Sequence, residues 1–326
     1  MLKNRVVTAL ILAPSIIAAV YFLDPIGFAI LWGGTLLVAS WEWADLAGLE
    51  SPLARLGFVA ALLTAQLTGS LWVPYTLDWL YWPVVAWWFV FAMALRVAAD
   101  RLLAIHYPVA VKLIAGFLVL LTSWVLMVWL RIHFGYQQVI YLLVMIWVAD
   151  ITAYFVGKRW GHTKLLAQVS PGKTVEGVYG ALVATGLLAI GVGLWAGLAP
   201  IQIADFIFLT VITVGISICG DLFESFVKRL RGVKDSSGIL PGHGGVLDRN
   251  DSLIAGVSVF YAGSVLLGIF LNTAAIDQQP ILIDPGSVGD AIEMPGEEGE
   301  VTEEPEPDDD AANPDSHQDH AGTVHP

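Results

Sequence analysis

Nine separate stretches of this chain are apolar enough, over enough residues, to be membrane helices, and nothing else in it constrains the fold as strongly. A helix crossing hydrocarbon needs about 20 mostly apolar residues, because each residue rises about 1.5 Å and unpaired backbone groups find no water there. The stretches lie at 6–23, 26–43, 56–73, 80–98, 109–130, 138–156, 177–197, 203–223 and 252–271. The expected fold is all-α, a polytopic membrane bundle of about nine transmembrane helices. Composition agrees: 56% of residues are apolar and 14% charged, where a soluble domain has about 45–50% and 25%. An ordinary cytosolic globule is excluded. Lys3 and Arg5 precede the first stretch as they would a signal peptide. Its apolar run is too long for that, and Val20, Tyr21 and Phe22 are poor cleavage residues, so it reads as a helix.

Nine spans put the termini on opposite sides. With the N-terminus cytoplasmic, 15 of the 16 Lys and Arg fall inside and Arg131 alone falls outside, as the positive-inside bias requires. Two cytoplasmic loops, 157–176 and 224–251, hold nine of these bases, whereas the outer connections, such as 74–79 and 198–202, are short. Chemistry is expected at the cytoplasmic face. The formal charge of -13 belongs to one end: residues 273–326 hold 15 acids and no Lys or Arg, which leaves 14 acids against 16 bases in 1–272. The domain reading is a transmembrane catalytic domain, 1–272, and an acidic disordered tail, 273–326, whose low hydrophobicity cannot offset the entropy of ordering. The lone Cys219 excludes an intrachain disulfide and a Cys-based zinc cluster, and it reads as a small core residue.

Ionisable groups inside spans are costly and mark function. Asp150 lies about a turn and a half from the inner end of the sixth span and Asp221 at the inner end of the eighth; the bland alternative is that each meets interfacial water. Residues 225–252 then read SFVKRLRGVKDSSGILPGHGGVLDRNDS. A solvated connector explains the charge but not the carboxylates at both helix ends. Asp248 and Asp251, spaced i, i+3, share a face if the last span starts early. Carboxylates amid bases suit a hard divalent cation that itself holds phosphate oxygens, as Mg2+ does with one or two carboxylates plus substrate phosphates. Asp221 and Asp248 are the expected metal pair, with Asp251 a third candidate. Glycines at 238, 242, 244 and 245 let backbone N–H groups approach phosphate closely. A further cluster, Ser170-Pro171-Gly172-Lys173-Thr174, precedes the seventh span. A Walker A loop would need Gly at 167, which is Ala. What is left is an anion site at a helix N-terminus, or an ordinary helix start.

The string from Ser225 to Asp251, with SFVKR, KDSS and LPGHGGVLDRND at fixed spacing, closely resembles the signature of the phosphatidate cytidylyltransferase family, the CDP-diacylglycerol synthases. Ala149-Asp150, residues 154–158 and the SPGKT-VEG segment resemble it too, so the likeness covers 145–272 by sequence and the earlier spans by topology. Asn250 departs from the pattern, standing where the family has an apolar residue, and the acidic tail lies outside it. The resemblance implies an enzyme of phospholipid biosynthesis in a bacterial inner membrane that transfers cytidylyl from CTP to phosphatidate, giving CDP-diacylglycerol and pyrophosphate. It also implies K+ beside Mg2+ and a homodimer, with membrane lipid and no nucleic acid as partners.

The physical obstacle to such a reaction is repulsion between about four negative charges on CTP and about two on phosphatidate. Lys173 is the choice for the triphosphate or lipid phosphate, with Lys228, Arg229, Lys234 and Arg249 as further clamps. Ser170, Thr174, Gly244 and Gly245 are assigned to the same phosphates, and Asp150 to the floor of the site. Because the phosphatidate oxygen is already ionised at neutral pH, no strong general base is needed. His243 reads as a hydrogen-bond donor to phosphate or as a structural turn residue. Two rivals stand beside this reading: a CTP-dependent lipid kinase, which would attack the γ-phosphorus, and a cation-coupled transporter using Asp150 and Asp221. A Gly-rich basic loop is hard to explain in a transporter.

Overall fold

The computed structural model describes residues 2–239, 244–269 and 271, with side chains described from Leu12 onward. These residues form eight α-helices and one small hairpin. Helix α1 (Leu2–Phe22) meets α2 (Pro25–Ala47) at Asp24, whose carboxylate accepts from the Gly27 N–H at 3.0 Å while Pro25 fills the first turn. Helices α3 (Pro52–Leu67), α4 (Gly69–Ala104) and α5 (Val109–Trp160) follow. Strands β1 (Lys164–Leu166) and β2 (Ser170–Thr174) then pair antiparallel, with Lys164 opposite Thr174. Helices α6 (Val175–Trp195), α7 (Pro200–Arg231) and α8 (Leu247–Leu267) complete the bundle. The chain is an all-α polytopic membrane protein apart from that hairpin.

Six helices, α2 and α4 to α8, are long and apolar enough to cross a membrane, while Leu12–Phe22 and α3 are shorter apolar helices. Helix length therefore does not establish the expected nine spans. Two of them, 109–130 and 138–156, lie in α5, whose 52 residues would extend about 78 Å against a hydrocarbon core of about 30 Å. Gly135 breaks it, with φ 82° and ψ 179°, a backbone conformation that essentially only glycine adopts.

Three boundaries differ from expectation. The connection expected at 74–79 is helical, and the chain turns at Thr68 instead. There the Thr68 hydroxyl donates to Thr64 O at 2.8 Å and the Trp72 indole donates to Ala65 O at 3.2 Å, closing the α3–α4 corner. The loop expected at 157–176 is the last turn of α5 plus the hairpin, so SPGKT is a strand, with only Thr174 serving the helix start. The loop expected at 224–251 shrinks at both ends. Helix α7 runs on to Arg231, because Glu224, Ser225 and Lys228 are buried against partners inside the bundle, and α8 starts early, at Leu247.

The core is built on α5, α7 and α8, around fully buried Met127, Leu142, Phe206 and Phe260. In lipid the hydrophobic effect does not drive helices together, so close packing through small residues carries the association. Gly256 of α8 sits against Ser217 and Thr213 of α7. At Gly220 the helices are so close that an added Cβ would strike the Asp251 carbonyl and the Ala255 methyl. That contact sets Asp221 beside the first turn of α8, which carries Asp248 and Asp251. Val90, Met93 and Val97 of α4 and Val183, Leu187 and Leu194 of α6 point outward as lipid-facing surface.

The two ends of the bundle differ. At one, Arg131 donates to Leu23 O at 3.0 Å. Buried Gln138 holds the end of α8 there: its amide nitrogen donates to Ser264 Oγ at 3.1 Å and Ile269 O at 3.2 Å, and its oxygen accepts from Leu271 N at 3.2 Å. The other end gathers the hairpin, the Asp45–Arg55 pair at 2.5 Å and the start of α8. The last described residue, Leu271, thus lies at the end remote from Asp248.

Candidate active site

A cavity of 1320 Å³ runs between α1, α2, α5, α7 and the start of α8. Part of its lining is apolar, with Ile16, Val20, Phe28, Trp32, Leu143 and Ile146; the rest, called the mouth below, is charged, with Asp150, Lys158, Lys164, Lys173, Asp221, Asp248, Arg249 and Asp251. Two carboxylates and a lysine define the centre of the mouth. Lys173, carried by β2, pairs with Asp221 of α7 at 2.6 Å, and Ser225 one turn on donates to the other Asp221 oxygen at 3.2 Å. Asp150, although placed within α5, is exposed, because it faces the cavity. It interacts electrostatically with Lys173, Asp221 and Arg249, and Asp251 with Asp221, Lys173 and Asp150. Of the residues expected at the site, Asp150, Lys173 and Asp221 are brought together here, with Arg249 nearby.

Asp248 stands on the same wall but is held by a separate network. One oxygen accepts from Lys228 Nζ at 2.6 Å; the other accepts from Ser236 N at 3.0 Å, Ser236 Oγ at 3.0 Å and Gly245 N at 2.8 Å. Lys228 also pairs with buried Glu224 at 3.2 Å, its i−4 neighbour. This corrects the assignment of Lys228 as a phosphate clamp, since a lysine 8% exposed and tied to two carboxylates neutralises them instead.

Other expected phosphate groups are redistributed. Arg229 donates to Val169 O at 3.1 Å and Val233 O at 3.2 Å, fastening the hairpin to α7. Exposed Lys234 does not line the cavity. The Gly245 N–H is engaged by Asp248, and Gly244 takes φ 81° beside the same carboxylate, so the two glycines shape the turn that holds Asp248. Thr174 is buried and its hydroxyl accepts from Gly177 N at 3.2 Å, which makes it the cap of α6. Ser170, Lys173 and Arg249 line the cavity, as does Thr174. Asn250, the departure from the family pattern, donates to Val246 O at 2.7 Å within the first turn of α8. His243 and the acidic tail lie outside the described residues.

Sequence reasoning missed Lys158 and Lys164, which flank the mouth, and it missed Glu42 entirely. Glu42, 1% exposed on α2, accepts hydrogen bonds from Ser236, Ser237, Val246 and Leu247. The available signal was an acid inside an apolar span, flanked by Trp41 and Trp43.

Fold and site together define a class: a polytopic membrane protein whose charged cavity mouth is continuous with an apolar wall inside the bundle, a shape that admits an anionic lipid head with its chains. Residues 3–267 match the cytidylyltransferase family, and the chain belongs to that family. It is 37% identical over 271 residues to the phosphatidate cytidylyltransferase of Pseudomonas aeruginosa, covering 80% of this chain and 96% of that protein. The protein of the same name from Haemophilus influenzae is 36% identical over 293 residues, covering 80% and 97%. That from Bacillus subtilis is 45% identical over 141 residues, 42% of this chain and 50% of the relative. The family match ends before the acidic tail begins.

Proposed function

We propose that this chain transfers cytidylyl from CTP to phosphatidate, releasing pyrophosphate and forming CDP-diacylglycerol in the membrane. The observation that carries this reading is the single cavity that joins an apolar wall to the Lys173–Asp221 pair. Acyl chains of phosphatidate fit the apolar part and its phosphate the basic mouth. A phosphatidate oxygen forms a bond to the α-phosphorus of CTP while the bond from that phosphorus to the bridging oxygen breaks, and pyrophosphate leaves with the electron pair. Lys173, Arg249, Lys158 and Lys164 reduce the repulsion between the two anions, and Asp150 and Asp221 orient Lys173.

Magnesium shared with substrate phosphates requires only one or two protein carboxylates. Asp221 and Asp248 stand on the wall of one cavity, with Asp251 a turn away from Asp248, and they are the carboxylates that would share such an ion, Lys173 and Lys228 giving up their places on the oxygens to it. Among the described residues no three of His, Cys, Asp and Glu are grouped so as to hold a metal ion by themselves. Bound there, Mg2+ would neutralise the triphosphate and polarise the α-phosphorus. K+ beside it, a homodimer, a bacterial inner membrane and a cytoplasmic N-terminus complete the proposal on the family likeness and the distribution of bases.

The relatives named above are cytidylyltransferases, which leaves the kinase and transporter readings without support. Purified protein supplied with phosphatidate, Mg2+ and CTP labelled separately at the α and γ positions should incorporate only the α label into lipid. Incorporation of γ label, or of neither, would sink the proposal.

A further inference from the structure

Glu42, 1% exposed, faces donors and no cation within ion-pairing range among the described residues. Its Oε1 accepts from Ser237 Oγ at 2.5 Å and Val246 N at 3.0 Å; its Oε2 accepts from Leu247 N at 2.7 Å and shares the single Ser236 hydroxyl proton, Oγ at 3.1 Å, with Asp248. The donors come from both ends of the segment joining α7 to α8, 194 to 205 positions away in sequence. One carboxylate on α2 therefore clips the segment shut at its base. The approach is close: a Cβ at Gly245 would lie 2.5 Å from Oε2. Val246, at the start of α8, has no side chain able to cap, and Glu42 supplies from another helix the acceptor and negative charge that a helix N-terminus favours.

We infer that Glu42 is a positioning residue for the reaction, acting through Ser236 on Asp248. Ser236 Oγ lies 3.1 Å from Glu42 and 3.0 Å from Asp248 Oδ2, and its backbone N–H donates to the same Asp248 oxygen at 3.0 Å. The Asp248 carboxylate is thus aimed by a turn whose place is fixed by Glu42. The role demands an acceptor on both oxygens, because two of the donors are backbone N–H groups that cannot reverse. Gln in this place turns an NH2 toward one of them, whereas Asp keeps the charge but reaches less far.

The kinetic arm of the test rests on the cytidylyl reading; a second arm does not. Purified Glu42→Gln protein that remains monodisperse in detergent should show kcat at least tenfold below wild type with KM for CTP within threefold, and Glu42→Asp should recover part of kcat. Independently, trypsin should cut after exposed Lys234 at least tenfold faster in Glu42→Gln than in wild type, because the clip no longer closes the segment. If Glu42→Gln is not recovered folded, Ser236→Ala removes the hydroxyl that Glu42 and Asp248 share while leaving the backbone bond from residue 236 to Asp248 and both backbone bonds from the start of α8 to Glu42, and kcat should fall at least threefold at constant KM. A folded Glu42→Gln enzyme with kcat within twofold of wild type, or with wild-type cleavage at Lys234, overturns the inference. Wild-type protein that places no α label in lipid overturns the functional reading instead, and the trypsin comparison still judges the clip.

Discussion

Asp221 and Asp248 look alike in sequence, each an acid at the inner end of a span, yet their surroundings predict different consequences of losing the charge. The Asp221–Lys173 pair has side chains 30% and 24% exposed, so Asp221→Asn should remove at least tenfold of the turnover rate, about 1.4 kcal/mol, with thermal unfolding close to wild type. Asp248 and Lys228 are each 10% exposed, and breaking a buried pair costs about 3–5 kcal/mol. Asp248→Asn should therefore lose both turnover and melting temperature. Parallel unfolding and α-label assays read the contrast, and more than a tenth of wild-type rate in Asp221→Asn would remove that residue from the site. Lys173→Ala should raise KM for CTP or phosphatidate, lower kcat, or both, in folded protein; unchanged kinetics with both substrates would make the strand lysine merely structural. Charges that interrupt apolar runs announced Asp150 and Asp221 in the sequence, and the SPGKT cluster before the seventh span announced Lys173. Whether a base is spent on a neighbouring carboxylate, as Lys228 is, depends on packing that spacing does not encode.

At the level of helices, the site exists because α7 and α8 touch at Gly220. Gly220→Ala should force the Asp251 backbone away, costing about 1–3 kcal/mol by overpacking and lowering turnover with it. Gly215 lies on the same helix with nothing within 4 Å of where its Cβ would be, so Gly215→Ala supplies the control. That change should be neutral or slightly stabilising, since Ala is favoured over Gly in a helix by about 1 kcal/mol. Thermal unfolding and activity that do not separate the two variants would show that close approach at Gly220 is not required. Helix existence was readable from hydropathy, because burial in lipid is a local property of 20 residues. The ends of α4, α7 and α8 were not, because Trp72, Lys228 and Glu42 satisfy backbone and charge through contacts made elsewhere in the chain.

For the whole molecule, the position of the chain's end relative to the site matters most. Leu271 is fastened by Gln138 at the end of the bundle remote from Asp248. The nine-span reading puts the acidic segment across about 30 Å of hydrocarbon from the cavity mouth, and with a Debye length of about 8 Å at physiological salt that reading expects little field there. Deletion of residues 278–326 should leave specific activity of the purified enzyme within twofold of wild type. Protease added to sealed, right-side-out vesicles should shorten the protein by that segment. Cleavage in inverted vesicles alone would place the C-terminus in the cytoplasm and make the span count wrong by one.

The sequence by itself determined the membrane class, the apolar stretches that become helices and the signature that carries the family likeness. All of these are local: hydropathy acts over one helix length and a motif over 27 residues. Tertiary structure alone decided that Asp221 answers to Lys173 and Asp248 to Lys228, that the phosphate-loop glycines fold around a carboxylate, and that Glu42 closes the segment beside it. Those assignments join residues up to 205 positions apart, and only the packing of α2, α7 and α8 brings their atoms within hydrogen-bonding distance.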